Sequence, residues 1–307
     1  MTPPTGPLRR VLRELDIFLG FSWRDLTVTL IPGSIFAFGA LRSSHQSLAA
    51  NVSNLLFLTL WLTLFIYFFA LSNQITGVDE DRVNKPGRPI PSGKVTMEGA
   101  KFRWALALLG FLLLGACRHT LLAETVTWVL TTAFLSLTPG GSHWLGKNFV
   151  ALIPGTWSLL SASWKAISPK TPEIDRYIFA LAVWAGLIAQ IADLRDVKGD
   201  KVVGRRTLPL VFGDSMSRHI IVWTFLPSCL ATLWLGDLLA LAPFTLLAVH
   251  LILGYRVIQG GGPRYDHNTY MACLLFILHH QSLTLVSDGH LYLLLDARIN
   301  SWSRVGN

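Results

Sequence analysis

Charge is what this chain has least of. Only 14% of its 307 residues are Asp, Glu, Lys or Arg, against about 25% in a soluble globular domain. Hydrophobic residues make up 51% and mean hydropathy is +0.47. So little polar surface cannot cover a soluble ball of this size. That excludes a cytosolic enzyme, a coiled coil and a disordered chain, and it points to a polytopic membrane protein. Cysteine is scarce too. Cys117, Cys229 and Cys273 lie in apolar stretches, without metal-ligand spacing or a pairing pattern, and read as small buried hydrophobes. The opening MTPPTGPLRRVLREL is not read as a secretory signal, because its basic run meets Glu14 and Asp16 with no small-residue cleavage site.

What the chain does have is apolar runs. Nine stretches approach the length of a membrane span: about 26–41, 54–72, 102–118, 121–138, 149–165, 177–192, 217–234, 238–256 and 270–287. The first has a helix-breaking pair, Pro32-Gly33. The third and fourth are parted only by His119-Thr120 and form a tight hairpin. Residues 1–15 form a cytosolic segment and 290–307 an interfacial tail, so 1–307 reads as one transmembrane domain. With nine crossings, nineteen of the 26 Lys and Arg fall on one side and seven on the other. The richer side is cytosolic. The net charge of +8 therefore belongs to a basic membrane rim, not to a nucleic-acid surface, and membrane lipids are the natural surroundings. No obligate protein partner is indicated.

Two polar stretches interrupt this background, both on the cytosolic side. The second, DLRDVKGDKVVGRRTLPLVFG, covers residues 193–213. Its Asp193, Asp196 and Asp200 are spaced i, i+3, i+7, which puts them on one helical face. Adjacent carboxylates repel, and a hard divalent cation such as Mg²⁺ is the usual reason to keep them together. Arg195, Lys198, Lys201, Arg205 and Arg206 then call for an anionic ligand as well. The first stretch, NQITGVDEDRVNKPGRPIPSGKV, covers 73–95. It offers Asn73, Gly77 and Asp81 at i, i+4, i+8, with Asp79 to the side and Lys85 and Arg88 on a proline-stiffened loop. Carboxylates, metal and Arg or Lys together suit a diphosphate. Trp61, Phe65, Tyr67, Phe68, Phe69 and Trp184 on the helices leading there could line a cavity for a hydrocarbon and stabilise a cation.

The paired motifs resemble those of the UbiA superfamily of intramembrane prenyltransferases. In that family the first motif reads N-D-x-x-D-x-x-x-D, followed by N-x-P-x-R-P-I-x-S-G. Asn73, Asp81, Asn84, Pro86, Arg88, Pro89, Ser92 and Gly93 match it. The second, D-x-x-D-x-x-x-D with a G-x-x-T-L-P run, is matched by Asp193, Asp196, Asp200, Gly204, Thr207, Leu208 and Pro209. Lys147 fits the family's basic position between the fourth and fifth spans. The resemblance implies an all-α bundle of nine transmembrane helices around a central cavity open to the cytosolic side. It implies Mg²⁺ held by Asp79, Asp81, Asp193, Asp196 and Asp200, with Asp81, Asp193 and Asp196 catalytic. It implies the diphosphate of a prenyl substrate held by Asn73, Arg88, Lys147, Lys198 and Arg205.

One departure bears on activity. The family's N-D-x-x-D is N-Q-x-x-G here, through Gln74 and Gly77, and Asp79 is expected to take over a ligand role. The form NQxxGxxED is similar to fungal members, among which are membrane-bound terpene cyclases. The expectation is a multi-pass cyclase of a fungal endoplasmic reticulum, facing the cytosol, with farnesyl diphosphate as first substrate. The alternative is transfer of the prenyl group to an aromatic or other acceptor. Ionisation needs the same residues in both. An acceptor needs a polar anchor, and none is strongly marked within the spans; the candidates Glu124, His279 and His280 read as helix-helix contacts. A transporter fits worse, since polar residues gather at one face and not along a midplane path. Cysteines placed at 90 and 202 should be labelled from the same side of the membrane. Labelling from opposite sides would contradict this topology.

Overall fold

The computed structural model describes residues 6–286. The described chain is helical almost throughout. Helix α1 (Pro7–Arg42) is followed by α2 (Leu48–Thr76), the short α3 (Val78–Asn84), α4 (Met97–Cys117), α5 (Leu122–Leu137), α6 (Leu152–Lys165), α7 (Pro172–Ile188) and α8 (Gln190–Val202). Two one- to two-turn helices, α9 (Leu208–Phe212) and α10 (Asp214–Ile220), lead to α11 (Leu226–Leu235), α12 (Pro243–Gln259) and α13 (Pro263–Val286). Starts are signalled locally. The side chains of Ser47, Thr96 and Thr171 accept from Ala50, Gly99 and Ile174 N–H, and Pro7 and Pro172 occupy first turns where no N–H is needed.

One expectation is corrected here. Pro32-Gly33 does not break α1; Pro32 sits inside a helix of 36 residues. Its ring costs one backbone hydrogen bond, and packing against neighbouring helices sustains the rest. Helix α1 starts at Pro7, and Arg103 clamps its Glu14 at 2.6 Å. The His119-Thr120 hairpin is present as a 3-10 turn, His119–Leu121. The interfacial tail 290–307 lies outside the described residues, as do the side chains of His279 and His280.

Helix α6 is central, packing on α1, α5 and α7, while α2 lies between α1 and α4 and α8 lies against α13. Between α2, α4 and α5 the core is aromatic. Phe65 stacks on Trp128 at 4.0 Å between centroids, and Trp61 meets Phe111 at 5.1 Å. The buried indole N–H groups are satisfied, Trp61 by Thr125 and Trp128 by the Phe65 carbonyl. Small residues let helices close up. A Cβ on Gly115 would stand 2.6 Å from Thr125, and one on Gly186 2.6 Å from Ile153. Large apolar side chains instead face outward, among them Leu106, Leu109 and Leu113 on α4 and Leu251, Ile252 and Tyr255 on α12. Five helical runs are long and apolar enough to cross a membrane: Leu48–Thr76, Met97–Cys117, His119–Leu137, Pro172–Val202 and Asp214–Leu235.

Polar groups tie the helices near the start of α13. Buried Arg218 donates to both oxygens of Asp266 at 2.9 and 2.8 Å, to Asp214 and to the Val257 carbonyl. Removing one partner of such a pair strands the other charge, at about 3–5 kcal/mol. Arg218→Ala should therefore lower the thermal midpoint of the detergent-solubilised protein by many degrees, and Arg218→Lys, which cannot make the bidentate contact, should recover little of it.

Candidate active site

Three buried carboxylates near the ends of α2 and α8 each hold a cation. Asp193, fully buried in α8, accepts from Lys147 Nζ at 2.6 Å and from Asn148 Nδ2 at 3.2 Å. Asp200, one helical face further on, accepts from Arg205 at 3.0 Å. Asp81 in α3 accepts both its bonds from Arg88, at 2.8 and 2.7 Å. Arg205 reaches across to Glu80 at 3.1 Å, which joins the first polar stretch to the second.

Local sequence explains how these groups meet. Gly204, at φ +70°, turns the chain sharply after α8. Arg206 N–H then donates to the Ser142 carbonyl at 2.9 Å, and Trp144 N–H to the Arg206 carbonyl at 3.0 Å. This two-bond clasp fastens the second polar stretch to the loop after α5. From that loop a π-helical turn, Gly146–Ala151, carries Lys147 and Asn148 to Asp193. Such turns are recurrent at functional sites. Gly146 is required there, because a Cβ would lie 2.0 Å from the Gly140 carbonyl oxygen.

These elements enclose a polar chamber of about 630 Å³, lined by Asn73, Thr76, Gly77, Asp79, Glu80, Ser142, Lys147, Asn148 and Arg205. Behind it lies an apolar chamber of about 290 Å³, walled by Phe65, Leu159, Leu181, Trp184 and neighbours. Phe69, Trp128 and Leu152 belong to both walls. The cationic and the aromatic chambers therefore adjoin. Trp184 turns its N–H away to His250 at 3.2 Å.

The structure alters the reading of several residues. Asn73, Gly77 and Asp81 do not share one face, because the helix breaks at Gly77, which ends α2 and begins α3. Glu80 rather than Asp81 then lines the chamber, and Asp81 faces Arg88. Asp193, Asp196 and Asp200 also part company. The first and last are buried, whereas Asp196 is 47% exposed and paired with Arg195. Lys198 is exposed. Asp79 lines the chamber but is mostly exposed and paired with Arg82. Gln74, in place of a family carboxylate, is buried and donates to the Phe21 carbonyl at 2.8 Å. Glu124 is a helix-helix contact, held by Ser161 at 2.7 Å and Lys165 at 2.9 Å. Sequence reasoning passed over Glu80 and Asn148. Glu80 sits at i+7 from Asn73, so the helical period marks it; Asn148 carries no signal beyond its place after Lys147. Lys85 belongs to the first stretch, and there burial and then Arg88 push its amine below the usual lysine range, against Asp81, Glu80 and Asp196.

The donor set suits a hard cation in kind. It is all oxygen, and one buried oxygen of Asp200, Oδ2, has no hydrogen-bond partner. Among the described residues no three such side chains gather closely enough to hold an ion by themselves. That fits a cation completed by substrate phosphate and water rather than one caged by protein.

Comparison with known proteins places the chain among relatives. The chain is 60% identical over 261 residues to the diterpene cyclase eriG of Hericium erinaceus, covering 85% of each. It is 55% identical to the polyprenyl transferase eriF of the same fungus, covering 85% of this chain and 91% of that one. A somaliensene A/B synthase of Streptomyces somaliensis is 34% identical over 85% of this chain and 89% of its own. Among solved structures, a UbiA homologue from Archaeoglobus fulgidus bound to GPP and Mg²⁺ shares the fold, with TM-score 0.64 and 14% identity over 89% of this chain and all of that one. The model of the UbiA prenyltransferase family matches residues 29–278, and with that span added to the two polar motifs the chain belongs to this family.

Proposed function

We propose that the protein is a membrane-bound, Mg²⁺-dependent terpene cyclase acting on a C20 prenyl diphosphate. The observation that carries this is a cation-lined chamber set against an aromatic one, with Phe69, Trp128 and Leu152 shared by the two walls. The C20 chain takes precedence over the C15 farnesyl chain because the 60% identical relative is named a diterpene cyclase. The diphosphate lies against Asn73, Lys147, Asn148 and Arg205, with Glu80 holding Arg205 in place, and the hydrocarbon runs past Phe69 and Trp128. Arg88 is aimed by Asp81. Asp196 and Lys198, at the exposed rim, meet the substrate as it arrives. Asp79 on the chamber wall and Asp200 through its unpartnered oxygen would supply oxygen to Mg²⁺, which would neutralise diphosphate charge, while Asp81 and Asp193 orient Arg88 and Lys147 from behind.

Ionisation is helped because Lys147 and Arg205 stand where negative charge grows on the leaving group. The aromatic faces of Phe65, Phe69, Trp128 and Trp184 favour the allylic cation left behind. Held there, the cation has its own double bonds as nearest nucleophiles, and that proximity is worth up to about 7–11 kcal/mol in ideal cases. The 55% identical transferase keeps prenyl transfer as the second reading. Against it, the described lining of the apolar chamber has Asp25 as its one charged group, which repels an acidic aromatic acceptor. The domain spans 1–307, crosses the membrane nine times and opens to the cytosolic leaflet of a fungal endoplasmic reticulum. Helical runs over each apolar stretch, the basic asymmetry and the fungal relatives support this.

Purified protein given geranylgeranyl diphosphate and Mg²⁺, with no acceptor, should release a cyclic C20 hydrocarbon or alcohol, and chelating the metal should stop it. A prenylated acceptor as the sole product, formed only when an aromatic substrate is added, would establish the transferase. Lys147→Met should lower turnover on the order of 100-fold, since a lost contact to the leaving group is worth about 3 kcal/mol. Unchanged turnover would refute the assignment.

A further inference from the structure

The apolar chamber holds one residue that packing does not explain. Asp25, Val28, Thr29 and Pro32 of α1 all line it, and their spacing of i, i+3, i+4, i+7 makes them one stripe on that helix. Asp25 is the one charged residue in the described lining, among Phe65, Trp128, Leu159, Trp184 and other apolar neighbours. Among the described residues none forms a hydrogen bond or ion pair with its carboxylate. Thr29 bonds to the Asp25 backbone carbonyl, and Lys85 and Arg88 act on the side chain through space. An ionisable group in such surroundings costs stability, so its presence there marks a task. Asp25 lines the apolar chamber and not the polar one, and Arg88, Lys85 and Arg24 are near enough to act on it through space.

Resting on the reading of this chamber as the place where a carbocation cyclises, we propose that Asp25 is the proton acceptor that ends the cascade. In that step a C–H bond beside the cationic carbon breaks. Its electron pair forms a C=C bond and quenches the cation, and the proton passes to a carboxylate oxygen of Asp25. The products are a neutral cyclic alkene and a protonated Asp25, which returns its proton to water when product leaves. Nothing is oxidised or reduced. The departed diphosphate could serve as a base for carbons near the head of the chain. It is held in the polar chamber, across Phe69, Trp128 and Leu152 from the apolar one, so a carbon of the chain that lies in the apolar chamber meets Asp25 as its base.

The test compares wild type, Asp25→Asn and Asp25→Glu on geranylgeranyl diphosphate and Mg²⁺, reading diphosphate release and the full product profile. Asp25→Asn should cut the share of the wild-type alkene at least ten-fold, in favour of alcohols and alkenes lost from earlier cations. Asp25→Glu should restore a cyclic alkene as main product, with the double-bond position shifted. An unchanged product ratio in Asp25→Asn, even at a lower rate, would overturn the proposal, because a purely electrostatic or packing role slows the reaction without redirecting it. If Asp25→Asn does not fold, Asp25→Ala is read in its place, and an unchanged ratio there overturns it equally. A wild type that makes no cyclic product contradicts the cyclase reading itself, and is thereby told apart from a wrong role for Asp25.

Discussion

Burying a carboxylate in a membrane protein is tolerable only with a partner, and this fold satisfies that constraint three times in one place. Asp193 with Lys147, Asp200 with Arg205 and Asp81 with Arg88 each place a cation where the carboxylate would otherwise be stranded. Such pairs add little net stability, since desolvation offsets most of the attraction. Their value lies in position. Lys147 and Arg205 are held on the chamber wall by acids that sit behind them, so the surface offered to a ligand is cationic and already oriented. An anion arriving there meets groups that need no reorganisation.

Much of the surrounding structure serves this arrangement. The clasp between Ser142, Trp144 and Arg206 fixes the distance between the loop after α5 and the end of α8. The break at Gly77 turns α3 so that Glu80 can reach Arg205. Below the charged end, Phe69 and Trp128 close the polar chamber and open the apolar one, and Trp128 is kept in place by its stack on Phe65. Polarity thus changes from one chamber to the adjoining one within a few side chains, in the same sense as along a prenyl diphosphate. Asp25 alone departs from that gradient.

The architecture was legible in the sequence because apolar runs in a low-charge chain have few other uses. A helix lies over each of the nine runs, and the hairpin at His119 falls where the run is interrupted. The site was legible as two motifs but not as a surface. Helical spacing groups Asp193, Asp196 and Asp200, yet burial separates Asp196 from the other two, because its paired Arg195 also reaches His267 on α13 at the exposed side. Spacing likewise groups Asn73 with Asp81 until Gly77 interrupts the helix and brings Glu80 round instead. Pro32 reads as a break, but a helix packed on both sides can lose one hydrogen bond and continue. Asp25 has no motif around it. Only the chamber, assembled from segments more than two hundred residues apart in the chain, shows where its side chain belongs.

The central claim is that the two adjoining chambers hold the head and tail of one prenyl diphosphate. An experimental structure of the protein with Mg²⁺ and a non-ionisable C20 prenyl diphosphate analogue tests it most directly. The account predicts diphosphate oxygens against Lys147, Asn148 and Arg205, with the hydrocarbon passing Phe69 and Trp128 toward Trp184 and Asp25. A diphosphate bound away from Lys147 and Arg205, or a chain lying along the lipid-facing surface with the apolar chamber vacant, would contradict it.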